Sequence, residues 1–324
     1  MTKISANIIC KNEEEMLPAM FESIKGVDEI IFLDTGSTDK SIEIAKSYGA
    51  KIFEDPWIDD FSNSRNSCMK HATGEWHLII DADEILDTPM ERIRNMLNLG
   101  IIKQKAYDLI LFDVQTGVER NEQPRLIRNK PDIWYFGAVH NLPRYFPEGL
   151  DHPEKSVNIP MDKAFKANCH ITANVSPNHA KDPDRSKRIL ESALKQEPHN
   201  TRHLYYYVRE WLNRKDPIKA LYFLDRYFKL SGPTNECADA HFIAATCHWD
   251  LGDTYKAVNE CMEAIKILAT FRAPYQLLEM LAHPDMKETW NRHAKAANNK
   301  GVLFIRDMRV NQLKPQSNLK IVKK

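Results

Sequence analysis

Three short acidic stretches carry most of the reactive groups in this sequence: Cys10-Lys11-Asn12-Glu13, Asp34-Thr35-Gly36-Ser37-Thr38-Asp39 and Asp81-Ala82-Asp83-Glu84. Each follows an apolar run (Ile8-Ile9, Ile30-Ile31-Phe32-Leu33 and Leu78-Ile79-Ile80), so each stands where a buried strand hands over to a loop. Carboxylates this close repel, and an unpaired buried one is costly, so a cation is expected beside the third stretch. Its oxygen-rich, low-ligand-count character suits Mg2+ or Mn2+, with phosphate and water completing the shell. In an extended segment Asp81 and Asp83 share one side and Ala82 faces away, so one acid can grip a metal while the other reaches a metal-bound water or a ribose hydroxyl. Asp34, about 25 residues beyond the first strand end, is placed to accept from a base or ribose. The plainer alternatives are turns. An Asp-x-Asp is often only a solvated turn, and in Asp-Thr-Gly-Ser the glycine turns the chain while Ser37 or Thr38 caps a helix. Those roles need neither Asp34 nor Asp39. Arg65 either pairs with Asp59 and Asp60 or braces the Asp81–Asp83 carboxylates and a diphosphate through its bidentate fork; the second reading is preferred.

The elements that position these residues alternate up to about residue 115. KISANIIC, DEIIFLD, AKIFEDP and EWHLIID read as strands. Between them NEEEMLPAMFESIKG, STDKSIEIAKSYG and FSNSRNSCMKHATG read as helices, stopped at Gly26, Gly49 and Gly74. A βαβαβαβ order implies a parallel sheet covered on both faces, with ligands beyond the carboxyl ends of its strands. After about residue 180 the pattern is helical throughout. Leu212, Asp216, Ala220 and Lys229 recur as His248 or Trp249, Asp253, Ala257 and Lys266, an offset of about 37 residues, close to the period of a tetratricopeptide hairpin. Residues 115–180 lie between, dense in Pro, Gly, Arg, His and aromatic residues, and too rich in functional groups for a plain linker.

Lys+Arg and Asp+Glu are both 45, so the chain is formally neutral, which argues against a protein that coats nucleic acid or an anionic membrane. No apolar run is long enough to span a bilayer, and the N-terminus turns acidic too early for a secretion signal. Six cysteines without a Cys-x-x-Cys pair read as buried free thiols, which suits a reducing cytoplasm. His170, His179, Lys181, Arg185 and Arg188 are expected to face solvent, and Tyr205-Tyr206-Tyr207 with Trp211 to pack between helices.

The blocks IICKNEE, IIFLDTGSTDKS, FSNSRNSCMKHATGEWHLIIDADE and PRLIRN…YFGAVHN resemble the inverting nucleotide-sugar glycosyltransferases of family two. The resemblance covers roughly residues 1 to 145 and implies the GT-A fold, a Rossmann-like α/β domain with a mainly parallel sheet. The helical half is similar to the branch with tetratricopeptide-like (TPR-like) extensions. The domains then expected are a catalytic domain over residues 1–180 (115–180 on the acceptor side), an all-α domain over 181–312 and a basic flexible tail over 313–324.

The resemblance implies nucleotide-sugar contacts at Ile9, Lys11, Asn12, Glu13, Asp34, Ser37, Asp39, Arg65, Asp81, Ala82 and Asp83. It implies Mn2+ or Mg2+ at Asp83 and Asp81, and a UDP-sugar as the foremost donor. His140 is a candidate third metal ligand or general base. Glu122 is a further catalytic candidate, with Asp113 and Glu119 in reserve, and Arg65 stabilises the departing diphosphate. Two departures stand out. Asn141 follows His140 where family branches carry Glu, and the Gln-x-x-Arg-Trp element of processive members is absent. The acceptor expected is a hydroxyl or thiol on a protein, peptide, saccharide or modified nucleobase, with the helical half shaping its recognition or mediating a homodimer. The alternatives are a helical-repeat interaction protein with an inactive transferase domain and a metal-dependent nucleotidyltransferase. The second usually needs a Gly-rich basic loop after the first strand, where this sequence is acidic.

Overall fold

The computed structural model describes residues 2–99, 109–116, 119–151, 155–158, 161–162, 170–173, 176–177, 181–230 and 232–302, which divide into two compact units meeting at Arg185/Ser186. In the first unit, β1 (Ile4–Cys10), β2 (Glu29–Asp34), β3 (Lys51–Glu54) and β4 (Trp76–Ile79) run parallel in the order β3-β2-β1-β4. They are joined by α1 (Leu17–Ser23), α2 (Ser41–Ser47) and α3 (Phe61–Lys70). There follow β5 (Glu84–Leu86), α4 (Met90–Asn98), β6 (Leu109–Thr116) and β7 (Glu119–Arg128), then β8 (Ile133–Phe136) and β9 (Leu142–Tyr145). The last strands are β10 (Val157–Asn158), β11 (Met161–Asp162) and β12 (His170–Ala173). The sheet continues β4-β7-β6-β12-β5; β7 lies antiparallel to β4 and β6, and β12 parallel to β6 and antiparallel to β5. Strands β8, β9 and β10 form a small antiparallel sheet.

Alternation along β1 divides the core. Ile4, Ala6, Ile8 and Cys10 pack with Leu17, Met20 and Phe21 of α1 and with Met90, Ile93 and Leu97 of α4. On the other face Ile9, Ile31 and Leu33 meet Cys68 of α3, and Met69 meets Ile79, Ile127, Ile133 and Tyr135. Both faces are therefore covered.

Three helix boundaries differ from expectation. Helix α1 begins at Leu17, not at Asn12, because Pro18 fits its first turn, where a missing N–H is harmless. Helix α2 begins at Ser41, and neither Ser37 nor Thr38 caps it; Asp39 Oδ1 accepts from the Ser41 N–H (3.0 Å). Helix α3, capped by Asp60 through the Asn63 N–H (3.0 Å), ends at Lys70. Gly74 serves another purpose: a Cβ there would sit 2.6 Å from Ser5 Oγ and 2.8 Å from Ser5 N.

The second unit comprises α5 (Arg185–Gln196, whose first residue belongs to the first unit), α6 (Thr201–Asn213), α7 (Pro217–Phe228), α8 (Thr234–Asp250), α9 (Thr254–Ile267), α10 (Arg272–Leu281) and α11 (Pro284–Ala296). The α6–α7 and α8–α9 hairpins share one turn. A left-handed residue, Lys215 (φ 57°) or Gly252 (φ 81°), precedes an N-cap Asp216 or Asp253, and each cap accepts from the N–H of Lys219 or Lys256 at 3.0 Å. Tyr205 is buried, its hydroxyl donating to Asp239 at 2.5 Å, and Trp211 packs edge-on to Tyr207, so the tyrosine cluster is packing surface as expected. The five described cysteines are free thiols; Cys169 and His179 lie outside the described residues. No described helix is long and apolar enough to cross a membrane.

Two stability outcomes are expected. Gly74→Ala forces the chain against the β1 backbone and should destabilise the protein by about 1–3 kcal/mol in chemical denaturation; an unchanged midpoint rejects the close approach. His77, buried in β4 beside Asn7 (3.2 Å), has its pKa lowered to about 4, chiefly by burial. The unfolded chain takes up its proton near pH 6.5, so stability present above that pH is lost as pH falls towards 4, by at most about 3 kcal/mol. His77→Gln should flatten that limb of the melting-temperature profile.

Candidate active site

Parallel order brings the carboxyl ends of β1, β2 and β4 to one edge, as the strand-end acids predict. The loops after β1 and β2 are laced together there. Asn12, left-handed at φ 58°, donates its N–H to Ser37 Oγ (2.9 Å), and its Oδ1 accepts from the Thr38 N–H (2.7 Å). The Glu13 N–H donates to Ser41 Oγ (2.8 Å) and the Glu14 N–H to Asp39 Oδ2 (3.1 Å). The Glu13 carboxylate accepts from Ser176 Oγ at 2.7 and 2.8 Å. Burial pushes the Asp39 carboxyl up, but hydrogen bonds from Ser41 and from backbone outweigh it and hold the group below its usual range. Asn12, Glu13, Ser37 and Asp39 thus build the frame of the crevice. Ile9 belongs to the core beside α3, and Lys11 is exposed. Glu13, Glu14, Glu15, Asp39 and Lys181 are among the walls of an adjoining cavity of about 210 Å3, too acidic to seat a diphosphate.

Asp34 is different. It is 3% exposed, and its Oδ2 accepts from the N–H groups of Gly36 (2.9 Å) and Ser37 (2.8 Å). Its buried Oδ1 has no hydrogen-bond partner among the described residues. Gly36 at φ 109° makes the tight turn possible.

Asp81 to Glu84 form a turn, not an extended segment: the Glu84 N–H donates to the Asp81 carbonyl at 3.0 Å, and Ala82 is buried in the core. The expected alternation of Asp81 and Asp83 therefore does not hold. The predicted cation is arginine, twice over. Asp81 Oδ1 accepts from Arg65 Nη2 at 2.8 Å, and Oδ2 from both Nη atoms of Arg125 at 3.3 Å. Arg125 also pairs with Glu84, whose second oxygen accepts from the Asp81 N–H at 2.9 Å. Two arginines and two carboxylates make a quartet of offsetting charges, with the Arg125 and Glu84 side chains each 4% exposed. Burial alone would raise the Asp81 pKa, but Arg65 and Arg125 hold it well below the carboxylate range. Glu84 is pushed up to about 7 by burial and by the Asp81 charge, against the pull of Arg125. The Tyr135 ring lies 5.4 Å from the Arg65 guanidinium.

Arg125 escaped the sequence reading because it arrives from β7, whose antiparallel register sets Leu126 opposite Leu78. The signal was an arginine inside the apolar strand PRLI, which demands a buried carboxylate. Of the residues expected to hold a metal, Asp81 has both oxygens engaged by arginine, Asp83 is half-buried in the turn, and His140 is exposed at the β8–β9 tip. Among the described residues no group of three His, Cys, Asp or Glu is gathered to hold an ion, so those three are not a preformed trio. Asp113 stands opposite Glu122 and Thr116 opposite Glu119 in the β6–β7 ladder; these side chains lie outside the described residues.

Arg125→Met should cost about 3–5 kcal/mol, because it strips the buried Glu84 carboxylate of its arginine and leaves half-buried Asp81 with Arg65 alone. Adding Glu84→Met should restore part of that loss; strictly additive losses in the denaturation cycle reject the coupled quartet.

Residues 5–143 match the model of the family described as Glycosyl transferase family 2. The chain is 40% identical over 146 residues to a TPR repeat-containing protein of Synechococcus elongatus, covering 44% of this chain and 36% of that one. It is 29% identical over 221 residues to the glycosyltransferase SunS of Bacillus phage SPbeta, covering 64% of this chain and 49% of SunS. The chain thus spans about half or less of the length of these curated relatives. Among solved structures, S. aureus TarS 1-349 in complex with UDP-GlcNAc is similar at 15% identity and TM-score 0.45, over 92% of this chain and 89% of that one. Residues 5–143, whose parallel strands carry Asp34 and Asp81 to one edge, are thus similar to glycosyl transferase family 2, and a helical unit follows them in this chain.

Proposed function

We propose that this chain is a glycosyltransferase that moves a sugar from a nucleotide-diphosphate sugar, foremost a UDP-sugar, to an acceptor hydroxyl or thiol with inversion. The observation that carries the reading is the buried, unpartnered Oδ1 of Asp34 at the carboxyl edge of a domain similar to family 2. Oδ2 already accepts two backbone N–H groups, and Oδ1 offers an acceptor for an N–H or O–H of a base or ribose. Arg65, whose Nε–H finds no acceptor among the described residues, supplies a donor for the diphosphate.

Asp81 and Glu84 offset much of the charge of Arg65 and Arg125, so the quartet offers a diphosphate little net positive charge, and a divalent cation fits that need. Mg2+ and Mn2+ are commonly held by one or two carboxylates together with substrate phosphates and water, which suits an edge whose described residues gather no three-ligand cluster. Asp83 is the residue that would hold the ion, and the ion would supply Lewis-acid stabilisation of the departing diphosphate. His140 takes the proton from the attacking acceptor group as general base. Its hairpin tip supports that role, since the Ala138 carbonyl accepts from the Phe61 N–H (2.8 Å) at the start of the helix bearing Arg65. The repeated hairpins of the helical unit are read as a tetratricopeptide-like surface that selects the acceptor.

A panel of nucleotide sugars with Mn2+ or Mg2+, scored by thermal stabilisation and nucleotide release, tests this. A UDP-sugar should stabilise and turn over, with Mn2+ adding stability only when nucleotide is present. Asp34→Ala should weaken nucleotide binding by about tenfold or more, and Asp83→Ala should erase the Mn2+ increment alone. Indifference to every donor would leave the interaction-protein reading standing; an Asp34→Ala variant that binds like wild type removes the nucleoside assignment.

A further inference from the structure

Helix α3 carries Arg65 and Asn66 side by side, and they serve different partners. Arg65 reaches Asp81 at the end of β4. Asn66 turns to the β8–β9 hairpin: its Nδ2 donates to the Tyr135 carbonyl at 2.9 Å, and its Oδ1 accepts from the Tyr135 N–H at 2.8 Å. One side-chain amide thereby replaces a neighbouring strand and satisfies both backbone groups of Tyr135. At the start of the same helix the Phe61 N–H donates to the Ala138 carbonyl at 2.8 Å. The two ties bracket residues 135–138, immediately before His140.

The tip needs such ties. Gly137 stands at φ 100° and His140 at φ 52°, both in the left-handed region. For a non-glycine residue this conformation is uncommon, histidine being among the side chains that adopt it more readily, and it is kept by the surrounding contacts. Three of the five left-handed non-glycine residues among those described (Asn12, Asp59 and His140) lie in this first unit, on loops after β1 and β3 and at the β8–β9 tip. Both parallel-strand loops open on the carboxyl edge, so backbone strain gathers around the crevice.

We propose that Asn66 is a positioning residue for the transfer reaction. It holds the β8–β9 hairpin on α3 so that His140 keeps its place at the crevice while Arg65, one residue earlier, engages the Asp81 end. Donor-side charge and acceptor-side base are thus set by consecutive residues of one helix. The inference rests on the reading of His140 as general base. Aspartate cannot substitute, because it keeps an acceptor for the Tyr135 N–H but sets a carboxylate oxygen against the Tyr135 carbonyl.

The test compares Asn66→Ala, Asn66→Asp, His140→Ala and the Asn66→Ala/His140→Ala double variant. The measurements are UDP affinity by calorimetry, UDP release from a UDP-sugar, and hydrogen exchange over residues 133–145. Both Asn66 variants should bind UDP within about twofold of wild type and turn over on the order of tenfold to a hundredfold more slowly. Exchange should quicken over residues 133–145 and stay unchanged in β1 and β2. The double variant should be no slower than His140→Ala alone, since a residue acting only through His140 adds nothing once that imidazole is gone. The aspartate variant decides the matter if the alanine variant does not fold. Wild-type turnover or wild-type exchange in a folded Asn66 variant overturns the inference alone, as do losses that multiply in the double variant. A wild-type protein that binds no nucleotide sugar overturns the proposed function and this inference together.

Discussion

The carboxyl edge of the sheet is organised by a charge constraint: two acids, half-buried Asp81 and buried Glu84, share one turn at the end of β4. In a low-dielectric interior neither can remain ionised beside the other without compensation. Arg65 from α3 and Arg125 from β7 provide it, and in doing so they tie the turn between β4 and β5 to the helix before it and to a strand some 40 residues further along the chain. Helix α3 must cross one face of the sheet to deliver Arg65, and β7 must pair antiparallel with β4 to deliver Arg125. The ring of Tyr135 packs against Arg65, so the β8–β9 hairpin is bound into the same arrangement. Topology beyond the four parallel strands is therefore tied to the charge balance of one turn.

Much of the polar chemistry at this edge is structural. Asn12, Glu13, Ser37 and Asp39 hold two loops in register through backbone amides, in the manner of local side-chain bonds that stand in for secondary structure. Among the described residues the buried polar atoms left without a partner at this edge are few: one oxygen of Asp34 and the Nε–H groups of Arg65 and Arg125. A rigid frame with few unsatisfied groups is the arrangement that positions a bound molecule without itself reorganising.

The helical unit obeys simpler rules. Two hairpins use the same left-handed residue and aspartate cap, and the lysine three residues after each cap lies 3.3 Å or 3.1 Å from its carboxylate. Register between α6 and α8 is set by polar contacts, with Arg209 and Tyr205 both meeting Asp239. Buried polar contacts of this kind favour one alignment over others that apolar packing alone would tolerate.

Local pattern was sufficient for the parallel strands, the two-part organisation, the recurrence that pairs Asp216 with Asp253 and the convergence of three acidic strand ends, because each depends on residues within one element or hairpin or on the rule that parallel strands end together. The need for a cation beside Asp81 was also legible, since like charges in a buried turn require one whatever supplies it. The preferred reading of Arg65 as a brace for the Asp81 end was legible as well. Tertiary structure alone decided that Arg125 joins it there, that Ser37 bonds Asn12 instead of capping α2, and that Asn66 stands in for a strand beside Tyr135. Each of those contacts joins side chain to partner across at least 25 residues of chain, from Asn12 and Ser37 up to Asn66 and Tyr135 at 69. A spacing rule reaches only one or two helical turns, so such partners become visible only when the sheet has placed its strands.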